Sequence, residues 1–181
     1  MDGLENAGKL GWIIPDWSAP DNVRAVCTTR QGGVSEAPFD GLNVGGHVGD
    51  DPVAVARNRK LVREILQLTE EPAWLEQVHG VDVFKETVLS GSVIPPKADA
   101  SVVFNAHQVS VIMTADCLPV LFCDRQGTRV ASAHAGWRGL CNGILEATIE
   151  SLNCDPVELM AWMGPAIGPG AFEVGVEVRE A

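Results

Sequence analysis

Apolar positions along this chain switch between two periods. Between residues 52 and 68, Val55, Leu61, Val62, Ile65 and Leu66 recur at helical spacing. Asp51-Pro52 marks the start, because Asp is a favoured N-cap and Pro suits the first helical position. The resulting stripe is expected to face a core. Shorter β-rich segments fall at residues 23–29, 81–84, 101–104 and 109–113. Residues 118–123 and 128–133 flank Asp124-Arg125-Gln126-Gly127, a compact turn that predicts a β-hairpin. Leu140, Ile144, Ala147 and Leu152 predict one helix over 139–152, and a last β-like run covers 172–178. The stretch from Leu42 through Asn43, Gly45, Gly46, His47 and Gly49 to Asp50 is too glycine-rich for regular structure. It reads as a loop whose backbone can approach a ligand closely. Strands outnumber helices, and hairpins mix with helical crossings. That order predicts an α+β fold with mixed β-sheets and flanking helices, not a regular doubly wound sheet.

Composition narrows the class. A chain of 181 residues suits one domain over 1–181, and 46% apolar with 20% charged residues fits an ordinary globular protein. The net charge of −11 argues against nucleic acid or an anionic membrane as partner. An anionic substrate would need a local basic pocket, so the few arginines carry weight. Nothing at the N-terminus reads as a secretory signal, and charged or glycine residues interrupt every apolar stretch before membrane-spanning length. Five cysteines, an odd number without a CxxC pair, fit reduced thiols in a cytoplasmic protein. Oligomeric state is not legible.

Three short stretches concentrate reactive side chains near expected strand ends: Gln77-Val78-His79-Gly80, Ala115-Asp116-Cys117-Leu118-Pro119 and His134-Ala135-Gly136-Trp137-Arg138-Gly139. Two imidazoles and a thiolate make a three-ligand set that zinc accepts while keeping a fourth position open; copper accepts the same donors. From the residues alone, His79, Cys117 and His134 are equally a buried cysteine and two hydrogen-bonded histidines. Gly136-Trp137-Arg138-Gly139 joins a strand to a helix, where free N–H groups and the Arg138 fork suit an anion; a surface Arg capping a turn is the plainer alternative.

These stretches, together with Thr28-Thr29-Arg30-Gln31-Gly32-Gly33 and the Leu42–Asp50 loop, resemble the bacterial multicopper polyphenol oxidase (laccase) family. Its members are also described as purine nucleoside phosphorylases and as a peptidoglycan-editing factor. The resemblance runs from about Trp12 to the end. It implies a cysteine-hydrolase-like, toxin-domain-like α+β fold, with zinc on His79, Cys117 and His134 and copper as the alternative ion. It further implies phosphorolysis of adenosine, inosine, guanosine and methylthioadenosine, and adenosine deamination. The substrates would be a purine nucleoside and phosphate. Arg30 and Arg138 would hold phosphate, Asn43 and His47 would close over the ribose, and Asp116 would orient a ligand or move protons. Asp99 matches a family position near the site. Family members usually continue past the point matching Ala181, so this chain is expected to lack a C-terminal portion.

A laccase builds its copper centres from about eight histidines; these 181 residues hold four. Two other readings compete with zinc-dependent nucleoside chemistry: Cys117 as a nucleophile with His134 as its base, giving a thiol hydrolase, and a non-catalytic protein that binds or edits cell-wall precursors.

Overall fold

A computed structural model describes residues 3–85 and 94–181. The chain divides into two compact units, one of residues 1–16 and 24–71, the other of residues 17–23 and 72–181.

In the first unit, helices α1 (Gly3–Lys9) and α2 (Pro52–Leu66) pack together. The Asp51 side chain accepts the Val53 N–H, so the expected cap and Pro start are both present. Ala7, Trp12, Leu42 and Val62 form the core, with Ile65 and Leu66 against it. Residues 23–29 do not form the expected strand: only Cys27 is bridged, to Ile13. The 42–50 loop is irregular, as expected, and is organised from within. Asn58, fully buried on α2, donates to Ser35 Oγ and to the carbonyls of Gly41 and Asn43, and accepts the Val34 N–H.

The second unit is built on a five-stranded sheet ordered β1-β2-β4-β3-β5. Its strands are β1 (Val83–Lys85), β2 (Ala100–Val103), β3 (Leu118–Asp124), β4 (Val130–Ala135) and β5 (Leu159–Met163). Strands β1 and β2 are parallel and the remaining pairs antiparallel, so the fold is α+β with a mixed sheet. The expected hairpin is β3–β4, and β5 adds an edge strand that the pattern did not indicate. The two-residue period sorts each strand's faces. Ala100 and Val102, Val120 and Phe122, and Ala131, Ala133 and Ala135 meet Ile144 and Leu152 in one core. The small alanines let that helix sit close, and burying Ile144 and Leu152 completely stabilises the unit by about 1.5–3 kcal/mol each. The other face of β2 and β4 is polar, carrying Ser101, Ser132 and His134.

Three sequence expectations change here. The helix over 139–152 starts earlier and is two helices, α3 (Trp137–Asn142) and α4 (Ile144–Leu152). They break at Gly143, whose φ of 97° a helix cannot contain. Residues 109–113 are β-rich but join no ladder. Side chains tie them down instead: Ser110 Oγ lies 2.7 Å from Ser101 Oγ and 2.6 Å from Ser132 Oγ. Residues 172–178 form no strand, and from Val176 the chain turns into helix α5 (Val176–Glu180).

Asp124, which ends β3, closes the hairpin. Its carboxylate accepts the backbone N–H groups of Thr128 and Arg129 and the Thr128 hydroxyl. Burial alone would push its carboxyl up, but these hydrogen bonds and the Arg129 charge outweigh burial and hold it below the usual carboxylate range. A folded pKa below the unfolded value means the stabilisation is present above about pH 4 and lost as pH falls through the folded value. Asp124→Ala is therefore expected to cost about 1–3 kcal/mol at pH 7. Urea titrations at pH 7 and pH 3 should show that the gap between variant and native protein narrows in acid.

Candidate metal centre

His79, Cys117 and His134 come from three separate elements and converge. One ligand atom from each lies within 4.8 Å of the others, and Cys117 Sγ is 3.8 Å from His79 Nε2. Neighbouring donors on a tetrahedral zinc sit about 3.3–3.6 Å apart, given bonds of about 2.0–2.3 Å. Small side-chain movements would close this set on one ion, so the residues fit such a group. Exposure is graded: His134 is buried, Cys117 half-buried and His79 exposed, which leaves one side open to an incoming ligand.

The sheet fixes two of the three. His134 is the fifth residue of β4 and faces the polar side, opposite Pro119 of β3. Cys117 immediately precedes β3, as the expected strand from residue 118 implied. Burial, and then the charges of Asp116 and Asp99, push the Cys117 thiol above its ordinary value. Only a nearby cation would hold it as a thiolate near neutral pH.

His79 is held by backbone geometry. It has φ of 60°, in the left-handed region that non-glycine residues seldom occupy, histidine more readily than most. Its N–H faces Asp99, fully buried between two alanines. Asp99 Oδ2 accepts the N–H groups of Val78 at 3.1 Å and Gly80 at 2.7 Å, and Oδ1 accepts that of His79 at 2.8 Å. Successive N–H groups thus form a nest for one carboxylate. Oδ1 also lies 2.9 Å from His134 Nδ1. A carboxylate only accepts, so Nδ1 carries the proton and Nε2 keeps its lone pair for an ion. Burial alone would raise the Asp99 carboxyl. The His134 bond and the three N–H groups outweigh it, and the carboxyl stays ionised well into acid.

The tie to His134 expected of Asp116 is made by Asp99, legible beforehand as a charge among alanines and as a position matching the family near the site. Asp116 itself is exposed beside Cys117. Arg138 is exposed, with its guanidinium 4.2 Å over the Trp137 ring. Arg30, Asn43 and His47 lie in the first unit. There Arg30 Nε donates to the Asp40 carbonyl, and His47 is exposed. Asn43 is already engaged, donating to Asp50 Oδ2 at 2.8 Å and accepting the Gly45 N–H at 3.0 Å.

Gly136 was legible only as part of a motif, yet it sets the clearance of the site. A Cβ there would stand 2.7 Å from His79 Cδ2 and 3.0 Å from Cys117 Sγ. Gly136→Ala should displace the imidazole and weaken zinc binding by about 10–100-fold, measured by chelator competition. An unchanged affinity would mean that the ring can swing away without losing an ion.

The description "multi-copper polyphenol oxidoreductase laccase" belongs to the family whose model matches residues 24–181. Purine nucleoside phosphorylase PA4543 of Pseudomonas aeruginosa is 58% identical over 170 residues, covering 94% of this chain and 68% of that protein. Purine nucleoside phosphorylase YfiH of Escherichia coli is 55% identical over 170 residues, covering 93% and 69%. Among solved structures, NMB0706 of Neisseria meningitidis, described under DUF152, superposes with a TM-score of 0.85 at 50% identity, covering 93% of this chain and 68% of that one. YlmD of Geobacillus stearothermophilus follows at a TM-score of 0.79 and 33% identity, covering 93% and 67%. By sequence and by fold, the chain belongs to the multi-copper polyphenol oxidoreductase laccase family, among relatives named purine nucleoside phosphorylases.

Proposed function

We propose that this protein is a zinc-dependent purine nucleoside phosphorylase acting on adenosine, inosine, guanosine and methylthioadenosine, with a second, adenosine deaminase activity. The observation that carries the reading is the convergence of His79, Cys117 and His134, open on the His79 side, in a chain whose relatives bear the phosphorylase name. When bound, zinc would polarise a substrate oxygen or lower the pKa of a water.

The rest falls to the chain's own residues. Asp99 keeps His134 in one tautomer and fixes the His79 backbone, so the donors are in place before any ligand arrives. Arg138, stacked on Trp137, offers a planar fork for phosphate. Asp116 is the proposed proton carrier: in phosphorolysis the purine nitrogen gains a proton as the glycosidic bond breaks, and in deamination the leaving amine does. Arg30, Asn43 and His47 stand as substrate contacts on the family resemblance alone. A cytoplasmic setting is part of the same proposal; all five cysteines are free, and no helix among the described residues is long and apolar enough to cross a membrane.

Purified protein should release hypoxanthine from inosine only when phosphate is present. Chelation should abolish the reaction and zinc restore it. His79→Ala should lower phosphorolysis and deamination together by at least about 100-fold, the scale on which loss of a metal ligand exceeds loss of its supporting partners. Survival of either activity in His79→Ala would separate it from this centre.

The family description favours a second reading, phenol oxidation with copper at the same three donors. Oxygen-dependent turnover of a phenol by copper-loaded protein, without phosphorolysis by the zinc form, would establish it. The 3.8 Å contact of Cys117 Sγ with His79 Nε2 favours a third, a thiol hydrolase in which His79 stands beside His134 as a base for Cys117. Rapid alkylation of Cys117 in zinc-loaded protein would support that one.

A further inference from the structure

The segment carrying His79 and the segment leading to Cys117 share no ladder, yet one side chain joins them. Gln77 Nε2 donates to the Met113 carbonyl at 2.7 Å, and Gln77 Oε1 accepts the Met113 N–H at 2.7 Å. One amide thus satisfies both backbone groups of a residue 36 positions away, in the manner of a rung between strands. Gln77 stands two residues before His79, and Met113 four before Cys117. The Gln77 side of this rung is itself anchored. Glu76 is bridged to Lys97, and the N–H groups of Val78, His79 and Gly80 end on Asp99. On the other side, Ser110 is pinned to Ser101 and Ser132 of the sheet.

We infer that Gln77 is a positioning residue that sets the separation of His79 from Cys117, and so the affinity of the centre for its metal. The inference rests on the zinc reading given above. The anchors on Asp99 fix His79 relative to His134, both tied to one carboxylate. They do not touch Cys117, whose distance from His134 is set by the β3–β4 register, with Pro119 opposite His134. The distance of Cys117 from His79 also depends on the approach through residues 109–116, which the two Gln77 bonds tie to the segment of residues 76–80. The chemistry demands this side chain. Asparagine is one methylene too short to span the gap, glutamate has no donor for the Met113 carbonyl, and methionine keeps the length but loses both bonds.

Cobalt(II) in place of zinc supplies the test, because a cysteine thiolate bound to cobalt gives a near-ultraviolet charge-transfer band. Native protein, Gln77→Met and Gln77→Glu would be titrated with cobalt, and their zinc affinities measured by chelator competition. The melting temperature of each metal-free protein is recorded alongside. In both variants the zinc affinity should fall at least about tenfold, and the thiolate band should weaken out of proportion to the remaining cobalt bands. Glutamate keeps the acceptor for the Met113 N–H, which keeps the comparison open should the methionine variant fold poorly. A lower melting temperature with unchanged affinity and an unchanged band would reduce Gln77 to a structural residue and overturn the inference, leaving the metal centre intact. Absence of the thiolate band in native protein would instead remove the metal reading, and this inference with it.

Discussion

Asp99 has lost all contact with solvent, and a buried carboxylate is costly unless its lone pairs are filled. Four donors meet it: three consecutive backbone N–H groups from Val78 to Gly80, and the His134 imidazole. The arrangement is mutual. The carboxylate is tolerable because the His79 backbone has turned left-handed to aim its N–H groups inward. That backbone conformation persists because a charge waits at its focus. Both converging histidines are tied to this one carboxylate, His79 through its backbone and His134 through its ring.

Around this knot, the sheet supplies rigidity and glycine supplies room. The alanine face of β4 packs on α4, which commits the opposite face, with His134, to the polar side. Gly136 then lets the chain leave β4 beneath His79 and Cys117 without touching them. Gly139 gives similar clearance to the Gly80 carbonyl, 3.1 Å from where a Cβ would stand. The chemistry is placed at the exposed end of a stiff scaffold, where exposure rises from His134 to His79.

Much of this was legible before any coordinates, and the parts that were not share a cause. Helix α2 announced itself through a local cap and a periodic stripe, both short-range signals. The converging histidines and cysteine stood out by chemistry and by motif. Residues 109–113 and 172–178 misled because a β-rich composition suits an extended chain without saying whether a partner strand exists. The break at Gly143 was readable only as a glycine in an otherwise good helix. Asp99, Gln77 and Gly136 matter through contacts across long stretches of chain. A lone Asp between alanines hints at a buried charge, but nothing in the sequence says which groups will satisfy it.

The same geometry bears on the chemistry. A carboxylate behind one imidazole sets its tautomer and a left-handed backbone carries the other toward Cys117, so the three donors stand near one another before any ion binds. Histidine count separates this arrangement from a multinuclear copper site within these residues: of four histidines, two converge. X-ray absorption at the zinc edge of protein purified without added metal addresses the central claim most directly. A first shell with one sulfur at about 2.3 Å and two imidazole nitrogens at about 2.0–2.1 Å is the expected result. A shell of nitrogen and oxygen alone, or no bound zinc, would contradict it.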